Sequence, residues 1–244
     1  MLQLIFKEIK YFFFTPIGYI VLGSYWTLNT LLLIVLENDF NLFEYNFLDF
    51  NIYFNLTPWM FLFLIPAIVM RSFSDEIQSG TLDLILSKPI SLINIIWSKF
   101  FGSLFLLLFS IVPSVFYLIY LNQFSTFDGE INWKLILGSY LGLILLGTTF
   151  ICLCLPISIT FKNQISVFII GFFICFLHFF LFDQIAMYFT SDFIYQFVLN
   201  IGSKEHFYKL ISGVLSLKDI SYFVGLDILL IGVTLYILNK TKYQ

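Results

Sequence analysis

Six long hydrophobic runs, almost free of charge, constrain this chain more than anything else in it. They are Ile17–Leu36, Ile52–Met70, Phe100–Leu121, Leu135–Phe161, Ile165–Phe182 and Ile220–Leu238. An apolar run of about 18 or more residues is long enough to cross a bilayer as a helix. Only 11% of residues are charged against 60% hydrophobic, whereas soluble domains carry roughly 25% charged residues. The chain therefore reads as an all-α integral membrane protein with six transmembrane helices, a single transmembrane domain over residues 1–244. A β-barrel also satisfies its backbone in lipid, but its strands alternate apolar and polar residues over about ten positions. LLLIVL and FLFLIPAIVM are apolar on every side. That excludes the barrel.

Loop charge sets the expected orientation, because Lys and Arg accumulate on the cytoplasmic side. Six spans place both termini on one side, with Lys7, Lys10, Arg71, Lys88, Lys99, Lys162, Lys240 and Lys242. The acids there are Glu8, Asp75, Glu76 and Asp83. The opposite side has four cations (Lys134, Lys204, Lys209, Lys218) facing ten acids, among them Glu37, Asp39, Glu44, Asp49, Asp128, Glu130, Asp183, Asp192, Glu205 and Asp219. Both termini are expected in the cytoplasm of a bacterial cell, with the chain multi-pass in the inner membrane. No basic surface points to nucleic acid. The opening stretch does not read as a cleavable signal, since Glu8 dilutes its positive region and no small-residue cleavage site follows.

Residues 1–15 form an amphipathic elbow. Leu2, Ile5, Phe6, Ile9, Phe12 and Phe13 recur at helical spacing while Gln3, Lys7 and Lys10 share another face. Such a helix lies in the interface with its cations toward the headgroups. Thr15-Pro16 then turns the chain into the bilayer. Prolines at 58 and 66 predict kinks in the second span, and prolines at 113 and 156 predict interruptions of the third and fourth. Gly138, Ser139, Gly142 and Gly147 give the fourth span a small face, suited equally to packing within the bundle or against a second subunit. Between the fifth and sixth spans, residues 192–216 carry two amphipathic stretches, read as two short interfacial helices on the outer side. Their apolar faces are Phe193, Ile194, Phe197, Val198 and Ile201, then Phe207, Leu210, Ile211, Val214 and Leu215.

The polar insert after the second span, residues 71–91, holds Arg71, the chain's one arginine, with Asp75, Glu76 and Asp83 and a Gly80-Thr81 break. Ser72 or Ser74 is expected to cap a short helix with Asp75 and Glu76 in its first turn, where the helix dipole favours acids. Gly80 is the expected stop, and Thr81 the cap of a second short helix. Leu82, Ile85 and Leu86 form the apolar face of that helix, which ends at Lys88-Pro89. A capped loop that only satisfies topology is the plain alternative.

The string PAIVMRSFSDEIQSGTLDLILSKPIS resembles the segment that follows the second span in ABC-2 type ABC transporter permeases, and most of all their gliding-motility-associated branch in Bacteroidetes. The matching residues are Met70-Arg71-Ser72-Phe73, Asp75-Glu76, Gly80-Thr81-Leu82-Asp83-Leu84-Ile85 and Lys88-Pro89. Asp stands at 75 and 83 where Glu is more usual. The resemblance implies a coupling helix element seated on a separate ATPase subunit, with Arg71, Asp75, Glu76, Gly80, Thr81, Asp83, Lys88 and Pro89 as its ATPase-coupling residues. It also implies a second permease subunit, identical or related, and an auxiliary gliding-associated membrane protein. The expected function is substrate export driven by ATP that the partner binds, with no cofactor and no catalytic residue in this chain. Indeed no G-x-x-x-x-G-K-[ST] phosphate loop occurs in it. A non-transporting membrane scaffold of a motility or secretion machine is the alternative. Asp75→Lys/Glu76→Lys is expected to weaken ATPase capture while leaving the permease folded.

Other polar residues give weaker signals. Cys175 and His178 lie three apart on one span, but two ligands are too few for a structural metal site. His206 reads as isolated. Asp227, inside the sixth span, is a candidate intramembrane polar site, because carboxylates in membrane are costly. Water or a hydroxyl partner is the expected account of it.

Overall fold

The computed structural model describes residues 1–37, 39–41, 50–124 and 133–242. The acidic loop acids Glu44, Asp49, Asp128 and Glu130 lie outside the described residues. Helices in chain order are α1 (Leu2–Phe13), α2 (Pro16–Thr30), α3 (Asn51–Val69), α4 (Ser74–Gln78), α5 (Thr81–Leu86), α6 (Leu92–Ile111), α7 (Ser114–Phe124), α8 (Trp133–Thr160), α9 (Gln164–Phe176), α10 (Phe182–Ala186), α11 (Asp192–Leu199), α12 (Ser203–Ile211) and α13 (Leu217–Lys242). One wider turn, Leu31–Val35, extends α2, and another, Leu177–Leu181, joins α9 to α10. No strand occurs among the described residues. Six helical segments are long and apolar enough to cross a membrane.

The bundle is built around α8, the most buried of the six, with α3 next. α8 packs against α13, α3, α12, α9 and α6. Its small face makes that crowding possible. A Cβ at Gly142 would come 3.1 Å from Leu210 Cβ on α12, and one at Gly147 only 2.7 Å from Leu107 Cδ1 on α6. Ser139 Oγ donates to the Ile211 carbonyl at 3.3 Å. The small face is therefore used inside the chain, which decides between the two uses its sequence leaves open.

α3 continues through Pro58 and Pro66, and α8 through Pro156. Pro113 alone breaks its helix, separating α6 from α7. Around that break Ser114 Oγ donates to the Ile111 carbonyl at 2.7 Å, and Trp26 Nε1 on α2 to the Ser110 carbonyl at 3.0 Å. Carbonyls deprived of their helical donors thus gain side-chain ones.

The third apolar segment starts earlier than hydropathy predicts, at Leu92 rather than Phe100. Ser98 and Lys99 lower the local hydropathy, yet both are buried, and Lys99 is only 2% exposed. Carboxylates from other helices satisfy the lysine, so the helix runs through it. At the N-terminus, Thr15 is extended (φ −106°, ψ 141°) and Pro16 opens α2, which separates the amphipathic α1 from the first apolar span. α1 lies on α6, so closely that a Cβ at Gly102 would sit 2.9 Å from Glu8 Cβ.

The two short helices expected at 192–216 are present as α11 and α12, and they differ. α12 buries Phe207, Leu210 and Ile211 against the bundle, but Val214 and Leu215 lie beyond its end and are exposed. On α11 the apolar residues face outward, with Phe193 and Phe197 both exposed.

Candidate functional site

The polar insert forms two short helices, as its residues suggest, but by different local chemistry. Gly80 adopts φ +68°, ψ 13° between α4 and α5, a left-handed conformation that costs a residue with a Cβ about 1 kcal/mol or more. Neither helix has a side-chain cap. Phe73, not Ser72 or Ser74, stands at the N-cap of α4, and Ser74 turns its hydroxyl back to the Met70 carbonyl. Gly80 takes the N-cap position of α5 expected for Thr81, whose Oγ1 instead meets Ser79 Oγ at 2.9 Å.

What holds α4 in place is charge. Glu76 lies between two lysines, with Lys7 Nζ of α1 at 2.7 Å and Lys99 Nζ of α6 at 3.0 Å. Lys99 also reaches Glu8 at 3.1 Å, donates to the Ser72 carbonyl and sits 4.7 Å above the Phe73 ring. Asp75 is bound separately. It accepts from Arg71 Nε at 2.9 Å, from Tyr11 OH at 2.7 Å and from Gln164 at the start of α9. Arg71 closes that ring by donating to Tyr11 OH at 3.0 Å. Burial and the bond to Asp75 raise the Tyr11 phenol above its ordinary pKa, so it stays a donor throughout the physiological range. Four helices (α1, α4, α6 and α9) thus meet through side chains of opposite charge or complementary polarity.

This arrangement divides the eight residues implied to contact a partner. Arg71, Asp75 and Glu76 face inward, the side chains of Asp75 and Glu76 being only 13% and 10% exposed. Gly80, Thr81, Asp83, Lys88 and Pro89 are exposed. α5 buries Leu82 and Leu86 beneath it, as its apolar spacing predicts, and presents Leu84, 65% exposed, at the outer side of an otherwise polar tip. The free surface is therefore Gly80–Pro89. An Asp75→Lys/Glu76→Lys variant would set five cations against one another and disrupt this end of the molecule.

Sequence reasoning missed the partners of these acids. Lys7, Glu8, Tyr11, Lys99 and Gln164 are distant in sequence, and no local spacing joins them. Lys99 carried the one usable signal: a lysine inside an apolar helix needs a carboxylate nearby.

The second polar centre lies among α11, α12 and α13. His206 is not isolated. Its Nδ1 is 2.5 Å from Asp219 Oδ1, its Nε2 is 3.2 Å from the Asn200 carbonyl, and Tyr222 stacks on it at 4.0 Å. His206 and Asp219 are each 2% exposed. Thirteen residues separate them, so no helical spacing could reveal the pair. Ser203, also buried, has no hydrogen-bond partner for its Oγ among the described residues, and Nε2 is spent on a backbone carbonyl. No nucleophile–base pair results.

Asp227 receives a hydrogen bond from Thr149 Oγ1 of α8 at 2.8 Å, the hydroxyl partner its position calls for. Cys175 faces Cys154 of α8, Sγ to Sγ 3.7 Å, and both remain free thiols. His178 buries Nε2 without a partner among the described residues. Among those residues no group of three or more His, Cys, Asp or Glu could hold a metal ion.

No protein-family model matches the chain, and no curated protein matches it.

Proposed function

We propose that this chain is the membrane-spanning permease subunit of an ABC-2 type transporter, coupling ATP hydrolysis by a separate ATPase subunit to substrate export. The observation that carries the reading is the polar insert itself. It has the residue pattern of that family after the second span, and it is built as a braced lever. Its base is tied by ion pairs to α1 and α6, and its tip, Gly80–Pro89, is left open to a partner. A push on the tip passes through Glu76 and Lys99 into α6 without any long flexible side chain at the surface in between. The gliding-motility branch, which the motif resembles, supplies the expected context: a second permease subunit, identical or related, and an auxiliary membrane protein.

In this reading the tip and the base have different roles. Asp83, Leu84 and Lys88 meet the ATPase, whereas Arg71, Asp75 and Glu76 transmit. Orientation follows the loop charges, with the insert and both termini in the cytoplasm.

Co-purification in detergent tests it. The chain is expected to bring down a soluble protein bearing the G-x-x-x-x-G-K-[ST] loop, and Asp83→Lys/Leu84→Glu is expected to lose it while the permease keeps its thermal unfolding temperature. If no such protein co-purifies, or the tip variant retains it fully, the scaffold alternative takes its place.

A further inference from the structure

The start of α13 grips the turn between α11 and α12. Tyr222 OH donates to the Ile201 carbonyl at 2.5 Å, and its ring stacks on His206 at 4.0 Å. Asp219 Oδ1 lies 2.5 Å from His206 Nδ1, while Nε2 lies 3.2 Å from the Asn200 carbonyl. Both ring nitrogens therefore face oxygen acceptors. A neutral imidazole has one N–H and one lone pair, so beside a carboxylate it satisfies only one of the two. The imidazolium has an N–H on each nitrogen and satisfies both. Turning the ring over does not remove the requirement, because it sets carbon against the Asp219 carboxylate. A neutral ring beside a protonated Asp219 would hold the same number of protons, but a carboxyl is ordinarily the stronger acid. The proton stays on the ring.

The surroundings favour that cation. His206 and Asp219 are each 2% exposed, so the carboxylate depends on this ring for its counter-charge. Asn200 is the C-terminal cap of α11, the end of a helix where positive charge is stabilised. Asp219 and Tyr222 are the titratable groups of α13 that meet the ring. On α12 itself, Lys204 pairs with Asp183 of α10 at 2.5 Å and Glu205 with Lys209 at 3.1 Å. α8 meets α12 at Gly138, Ser139 and Gly142, and the end of the fifth span meets it with Phe179. None of those four residues titrates.

We propose that His206 makes this junction a pH-sensitive clasp, closed while the ring carries both protons and released when it gives one up. The closed form binds that proton more tightly than the open one, so closure is complete at low pH and is lost as pH rises. Release frees the turn at residues 200–202 and α11, whereas α8 keeps its packing. Loop charge assigns the clasp to the outer side, where it reads the pH outside the membrane. The clasp goes beyond the transport reading and does not depend on it.

Nuclear magnetic resonance of the full chain in detergent, with heavy nitrogen at histidine only, tests the proposal. The chain has two histidines, His178 and His206, and His178→Ala assigns their signals. His206 is expected to be the imidazolium at about pH 6 and neutral by about pH 9. Over the same interval, hydrogen exchange in α11 and α12, with the intrinsic effect of pH divided out, is expected to rise about tenfold, as for a lost hydrogen bond to a charged group. Exchange in α8 is expected to stay constant. Asp219→Asn keeps the shape without the counter-charge, and it is expected to leave exchange in α11 and α12 high at both pH values. Thermal unfolding shows whether that variant remains folded, and the titration of the parent protein decides if it does not. A neutral His206 ring at about pH 6, an imidazolium persisting at about pH 9, or unchanged protection of α11 and α12 across the interval overturns the proposal. So does a folded Asp219→Asn variant with the parent's pH response.

Discussion

Lys99 shows how a single residue organises one end of this molecule. Its ammonium is buried and shared by Glu8 and Glu76, from helices distant in sequence. Coulomb attraction between such groups only offsets the cost of removing them from water, so the network contributes specificity more than net stability. Removing one partner is another matter, because it leaves uncompensated buried charge. Lys99→Met is therefore expected to cost about 3–5 kcal/mol, read as a lower unfolding temperature in detergent by tryptophan fluorescence. A variant as stable as the parent would show that the carboxylates are satisfied elsewhere. At this scale the sequence was informative where chemistry is local and silent where it is not. Gly80 announced its turn, because a left-handed residue between two helices favours glycine. Asp75 and Glu76 read as first-turn acids of a coupling helix, since nothing nearby in the chain hints at Lys7, Lys99, Tyr11 or Gln164.

Elements were legible to the extent that one face of them is apolar. α1, α5 and α12 have helical spacing, and α5 and α12 bury most of the predicted residues: Leu82 and Leu86, then Phe207, Leu210 and Ile211, while Ile85 is half-buried and Val214 and Leu215 are exposed. α11 has the same spacing with its apolar residues outward, because spacing defines a face without saying what covers it. The start of α6 was misplaced for a related reason: hydropathy counts a lysine as polar whether or not a carboxylate meets it. The α12–α13 junction rests on the His206–Asp219 contact. His206→Ala removes the partner of a buried carboxylate and is expected to loosen residues 192–216 first. Hydrogen exchange should then rise in α11 and α12 while α8 stays protected. Equal protection in both proteins would remove the junction from this account.

On the scale of the whole molecule, the ion pairs fall into two groups that match the two sides expected from loop charge. Lys7, Glu8, Arg71, Asp75, Glu76 and Lys99, all assigned to one side, pair among themselves. Lys204 with Asp183, His206 with Asp219 and Lys209 with Glu205, assigned to the other, do the same. Six helices long and apolar enough to cross a membrane, if they alternate, produce that sorting. Single cysteines at Leu84 and Phe193, both exposed, should consequently react with a membrane-impermeant maleimide from opposite sides. The native Cys152, Cys154 and Cys175 are buried and add little background. Labelling of both positions from one side would refute the six-span arrangement.

The central claim is that the exposed tip of α5 meets an ATPase. A photo-crosslinking residue at position 84, in cells, tests it most directly. The account predicts an adduct with a protein carrying the phosphate-loop motif from Leu84, and none from Phe193. An ATPase adduct from both positions, or from neither, would contradict it.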